Sequence, residues 1–216
     1  MIKSKADYEF YLKADYASLY KNTHPTFIDR MLNRIFEDEN WEIWSYQKAL
    51  RKAEYLNNCN HSIMGKIRYA FALKNLHKIG NKLGFYICLN TFGPGLSIGH
   101  PGMIIVNADS RIGANCHIHP GTVIGTQAGP VSKTPVLGDN IHIGPGVIIF
   151  DKIEISDNIA IGANSVVNKS FTESGITIAG VPAKKISDKG SKGLLVLGTE
   201  IAKEQMERKI TNMVQE

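Results

Sequence analysis

Nine branched aliphatic residues recur through the middle of the chain at intervals of six: Ile112, Ile118 and Ile124, then Leu137, Ile143, Ile149, Ile155, Ile161 and Val167. Apolar positions return every three to four residues in a helix and every two in a half-buried strand, so neither element explains a period of six. A coil with three flat sides does. Each side is a short parallel strand, each turn takes about eighteen residues, and one aliphatic per side points inward to stack on its equivalents above and below. Working back from Ile112, the beat passes Val106, slips by two residues within 99–103, and resumes at Ile98, Phe92 and Tyr86. A second break separates Ile124 from Leu137 and predicts a projecting loop over 126–135. Loops on a rigid scaffold are where binding groups usually sit, so these two breaks are the first candidates for a site.

The flanks follow other rules. Residues 1–84 read as a helical unit: Ile67, Leu73, Leu76, Ile79 and Leu83, with Tyr69 and Phe71 nearby, recur at helical spacing, and Gly84 is a natural stop. A further helix is expected through 44–55. The coil occupies 85–187, and 188–216 form a glycine-rich linker and a tail helix over about 199–214. That tail is expected to cover the open end of the coil.

Composition narrows the picture. The net charge of +5 belongs to the first 84 residues, which carry fourteen Lys and Arg against nine Asp and Glu. Lys66, Lys74, Lys78 and Lys82 are spaced by multiples of four and form a basic stripe on one side of a helix, read as a solvated face. No nucleic-acid motif accompanies the stripe, so nucleic acid is not expected as a partner. No run of eighteen apolar residues occurs and the first residues lack a secretory segment, which predicts a cytoplasmic protein without a membrane span. Cys59, Cys88 and Cys116 match no metal-ligand spacing and read as reduced, small hydrophobes.

At the slip, Phe92-Gly93-Pro94-Gly95-Leu96-Ser97-Ile98-Gly99-His100 resembles the segment of the hexapeptide-repeat acyltransferases, serine acetyltransferase branch, that ends in their catalytic histidine. Ile143-Gly144-Pro145-Gly146, Ile161-Gly162-Ala163-Asn164-Ser165 and Gly180-Val181-Pro182-Ala183-Lys184 resemble that family's coenzyme-binding coils and terminal motif. The resemblance implies a mainly β protein, a left-handed parallel β-helix with its helical prefix and tail, assembled as a homotrimer. It implies acetyl-CoA as donor, held in a groove between subunits, and no metal. It assigns His100 as general base, a role for which imidazole has a suitable intrinsic pKa. Gly144, Pro145, Gly162 and Ala163 would line the pantetheine arm, with Lys169, Lys184 and Lys185 near the nucleotide phosphates. Asn107, Asp109, His119, Lys133 and Thr134 are the candidate acceptor contacts.

The departures bear on the acceptor. Gly99 stands where the serine enzymes have an aspartate, Lys133-Thr134 where they have an arginine–histidine pair, and Phe85 where an aspartate orients the catalytic histidine. No Asp or Glu occurs between Glu54 and Asp109, so a partner for His100 comes from the helical unit, the Asn107/Asp109 region, a backbone carbonyl or another subunit. Losing groups that grip a small zwitterion favours a sugar hydroxyl of a capsular or exported polysaccharide, with serine O-acetylation as the alternative. A metal-dependent lyase using His117, His119 and His142 is a third reading, and the long loop and GVPAK ending weigh against it. A non-catalytic scaffold is the fourth.

Overall fold

The computed structural model describes residues 1–20, 26–36, 38–126 and 134–215. Four helices come first: α1 (Lys5–Tyr20), α2 (Phe27–Ile35), α3 (Glu39–Cys59) and α4 (Ile63–Leu83), the last stopped by Gly84 in the left-handed region at φ 80°. A three-sided parallel β-solenoid follows. Its first side stacks Phe85–Ile87, Ile104–Val106, Thr122–Ile124, Ile148–Ile149 and Val166–Val167. The second stacks Arg111–Ile112, Val136–Leu137 and Glu154–Ile155, and the third Ser97–Ile98, His117–Ile118, His142–Ile143, Ala160–Ile161 and Thr177–Gly180. Helix α5 (Gly198–Gln215) ends the chain.

Strand register turns the six-residue beat into columns. Ile98, Ile118, Ile143, Ile161 and Ile178 pair in sequence up the third side, and Val106, Ile124, Ile149 and Val167 up the first. These side chains are at most 1% exposed, so each contributes about 1.5–3 kcal/mol of apolar burial. Tyr86 breaks the expected beat. It is 65% exposed, and the inward positions of its strand are Phe85 and Ile87. The first coil therefore reaches Phe92 five residues after Ile87, a tighter corner than the later ones.

The prefix packs directly on the first coils, and buried residues of α3, α4 and the solenoid form one apolar core. Leu76 and Leu83 of α4 lie inside, whereas Ile67 and Phe71, expected on the apolar face, are exposed. Arg51 fastens the two parts together. Fully buried, it donates from Nε and Nη2 to the Asp15 carboxylate, from Nη1 to Glu54 Oε2 and the Phe92 carbonyl, and from Nη2 to the Gly93 carbonyl. Asp15 Oδ1 in turn accepts the Gly95 and Leu96 amides, and Glu54 Oε1 the Asn90 amide. A guanidinium has five N–H groups, and all five are used.

The tail does not cover the open end. An antiparallel strand, Ala183–Ser187, folds back on Thr177–Gly180 and takes up that edge itself. The chain then returns along the corner between the second and third sides. There Asn115, Asn140 and Asn158, all in the left-handed region, link side chain to side chain from coil to coil. Ser191 bonds to the Asn158 and Asn140 backbone, and Thr199 exchanges hydrogen bonds with Asn115. Helix α5 starts against α1, where a Cβ at Gly198 would fall 2.1 Å from the Ala14 carbonyl oxygen. Among the described residues, no helix is long and apolar enough to cross a membrane.

Candidate active site

The slip at 99–103 opens a cleft between the solenoid and the helices. It encloses roughly 460 Å³ and is lined by Leu19, Tyr20, Glu39, Asn40, Ser97, His100, His117 and His119. His100 lies at the corner leading from the third side to the first, just beyond Ser97–Ile98. Its Nδ1 is 3.2 Å from Glu39 Oε2, at the start of α3. An ionised carboxylate only accepts, so the ring proton sits on Nδ1 and the lone pair on Nε2. The helical unit is thus the source of the missing carboxylate, and Tyr20 joins it at the rim. Burial pushes the Tyr20 phenol up to about 12, so the hydroxyl stays protonated near neutral pH.

Gly99 has a steric reason for being glycine. A Cβ there would lie 2.9 Å from Cδ2 of His119, so any larger side chain at this position requires the neighbouring imidazole to shift. His119 is itself fixed, with Nδ1 3.0 Å from the Ile143 carbonyl oxygen and its own carbonyl accepting from Thr122 Oγ1. His117 Nδ1 is 2.9 Å from Ser97 Oγ. Burial and the adjacent His119 hold the His142 pKa below the ordinary imidazole range, favouring its neutral form. Buried Cys116 has its thiol pushed well up by burial, which leaves it without nucleophilic character.

The other expected site residues are dispersed within one chain. Gly144, Pro145, Gly162 and Ala163 follow His100 and His119 up the same corner on later coils. Pro145 and Ala163 are exposed there, while Gly144 is buried, its missing side chain explained by the Ala163 amide 2.8 Å from where a Cβ would be. Asn107, Asp109 and Thr134 occupy the opposite edge of the first side, where Thr134 Oγ1 donates to the Asp109 carbonyl and Asn107 Oδ1 accepts the Asp109 amide. Lys133 and most of the projecting loop lie outside the described residues. Lys169 sits on that same far edge with its ammonium 5.4 Å above the Phe171 ring. Lys184 is exposed, but Lys185 is paired with Glu173 and Asp188 at 2.5 and 2.6 Å, which raises its pKa and competes with any phosphate.

Sequence reasoning did not find Glu39, Tyr20 or Asn40. Their only signal was negative: the stretch around His100 lacks acidic residues, so a partner had to arrive from elsewhere. Replacing Glu39 by Gln exchanges a charge-assisted hydrogen bond for a neutral one. If the pair serves a general base, kcat should fall about 5- to 10-fold with little change in KM, as steady-state kinetics will show.

No protein-family model matches the chain. Over 99 residues it is 30% identical to the serine acetyltransferase of Synechococcus elongatus, covering 45% of this chain and 40% of the relative. Over 101 residues it is 34% identical to that of Staphylococcus epidermidis, covering 46% and 47%. The chain thus matches less than half the length of these curated relatives. Among solved structures, the serine acetyltransferase of Brucella abortus in complex with coenzyme A superposes with a TM-score of 0.61 at 23% identity, covering 86% of this chain and 68% of that one. The chain therefore carries the hexapeptide-repeat acyltransferase fold of the serine acetyltransferase type.

Proposed function

We propose that this protein is an acetyl-CoA-dependent O-acetyltransferase with His100 as general base. The observation that carries the reading is the His100–Glu39 pair, set in the cleft at the first of the two breaks in the solenoid's rhythm. With Glu39 holding the Nδ1 proton, Nε2 takes the proton of the acceptor hydroxyl as its oxygen attacks the thioester carbonyl. The tetrahedral intermediate then expels the coenzyme A thiolate by breaking the C–S bond, and His100 returns the proton to sulfur. Backbone amides at the glycine-rich corners are suitable donors to the developing oxyanion.

The site is completed, on this reading, by a homotrimer. The outward face of the first side carries Tyr86, Ile105, Val123, Ile148 and Val166, a continuous apolar strip with Tyr86, Ile105 and Ile148 exposed. Packing this side around a three-fold axis apposes one edge of each protomer to the opposite edge of the next. The His100 corner then faces the neighbour's Asn107, Asp109 and Thr134. Pro145 and Ala163, above His100, border the same groove for acetyl-CoA.

Serine is the acceptor that the curated relatives favour, and Glu39 supports it by supplying a carboxylate to a site whose own strand has none. The second reading is a sugar hydroxyl. It is favoured by Gly99, which carries no carboxylate, and by Lys133-Thr134, which offers neither the planar guanidinium nor the imidazole that the resemblance would place there. Thiol release from acetyl-CoA with L-serine and with oligosaccharides distinguishes them. Serine-dependent turnover is expected. Oligosaccharide turnover at a kcat/KM more than about 100-fold above serine selects the sugar reading, and no turnover with any hydroxyl acceptor overturns both.

A further inference from the structure

Beside the candidate base lies a second convergence of side chains. His117 and His142 hold the same register position on adjacent parallel strands, and their rings stack 5.4 Å apart at 21°. His119, one residue past its strand, turns its ring edge-on to both, at 4.5 and 5.3 Å. Ligand nitrogens from the three rings all lie within 4.8 Å of one another.

Two of the rings have outer contacts of the kind that metal-binding histidines keep. The Ile143 carbonyl only accepts, so His119 Nδ1 carries the proton and Nε2 presents a bare lone pair. Ser97 Oγ offers His117 Nδ1 the same kind of support. Metal-binding histidines ordinarily brace their second nitrogen on a carboxylate, a backbone carbonyl or water, and His119 meets that pattern directly. His142 Nδ1 is buried with no hydrogen-bond partner among the described residues, and a cation drawn in among the rings is the kind of partner that resolves such a group. Ring stacking alone explains the parallel pair, but neither the braced His119 nor the orphaned nitrogen.

We propose that His117, His119 and His142 bind one divalent transition-metal ion of the zinc type. Three imidazoles without a carboxylate suit zinc, cobalt, nickel or copper and not magnesium or calcium. Metal–nitrogen bonds of about 2.0–2.1 Å require the rings to draw together by roughly an ångström. Three protein ligands leave a tetrahedral ion one open position. His117 and His119 also line the cleft of His100, so the site borders that cleft. This site goes beyond acetyl transfer and stands or falls without it.

The test uses the untagged, metal-stripped full chain, with no acetyl-CoA present. Titration with Co²⁺ should give the intense visible absorption of a tetrahedral ion, saturating at one per chain and abolished by Zn²⁺. His119→Ala and His142→Asn should each weaken Co²⁺ binding by about 100-fold or more. Ser97→Ala, which keeps all three rings, should weaken it about 10-fold. His77→Ala, on the exposed face of α4, and His100→Ala should bind as the unaltered chain does. No tetrahedral spectrum at millimolar Co²⁺, or a spectrum that survives His119→Ala and His142→Asn together, overturns the proposal. Should either ligand variant fail to fold, the spectrum of the unaltered chain and of Ser97→Ala decides it. An inactive acetyltransferase that still shows the spectrum separates failure of the acyl-transfer reading from failure of this one.

Discussion

His100→Ala should lower kcat for acetyl transfer by about 10²- to 10⁴-fold while leaving the KM for acetyl-CoA nearly unchanged. On the proposed mechanism the imidazole acts on the acceptor proton during bond formation, so its loss should appear in the transition state and not in donor binding. That loss corresponds to about 2.7–5.5 kcal/mol of barrier. In the proposed mechanism Glu39 works through His100, so Glu39→Gln added to His100→Ala should cost almost nothing more, although alone it should slow turnover measurably. Such non-additivity is the mark of two groups acting as a unit. Comparable losses that simply multiply would mean that Glu39 serves the acceptor directly and that the pairing at 3.2 Å is incidental to catalysis.

Arg51→Met should destabilise the fold by about 3–5 kcal/mol, read from denaturant unfolding, with a melting temperature lower by about 10 °C. The side chain is wholly buried, and its removal leaves Asp15 and Glu54 as uncompensated charges against the first coil. The Phe92 and Gly93 carbonyls lose their donors at the same time. The effect should reach the site. Asp15 holds the Gly95 and Leu96 amides immediately before Ser97, and α1 continues from Asp15 to Leu19 and Tyr20 at the cleft. Activity should therefore fall in this variant even under conditions where it remains folded. A change below about 1 kcal/mol would place the attachment of prefix to solenoid in apolar contacts alone.

The parts of the molecule that repeat were legible in the sequence because repetition is redundant. One inward aliphatic per side, multiplied over successive coils, identifies the solenoid even where Tyr86 misleads by one residue. The same rhythm exposed its own failures, and the slip led straight to His100. Groups that meet only through the tertiary fold left no such trace. Glu39 is one carboxylate among several on a charged helical prefix, and Arg51 one cation among fourteen in the first 84 residues. Nothing in their spacing reports a contact with segments 61 or 36 residues away along the chain. The tail was misplaced for a related reason. Its rough apolar stripe announced a helix but not a partner, which is set by the asparagine corner and the close approach of Gly198 to α1. Asn107, Asp109 and Thr134 were grouped with His100 by resemblance alone, and within one chain they stand on the opposite edge of the first side.

The most direct measurement is product analysis after incubation with acetyl-CoA labelled in its acetyl group and L-serine as acceptor. The account predicts labelled O-acetylserine formed in equal amount to free coenzyme A, and its loss in His100→Ala. Thiol release without label on any hydroxyl acceptor, serine or oligosaccharide, would contradict it.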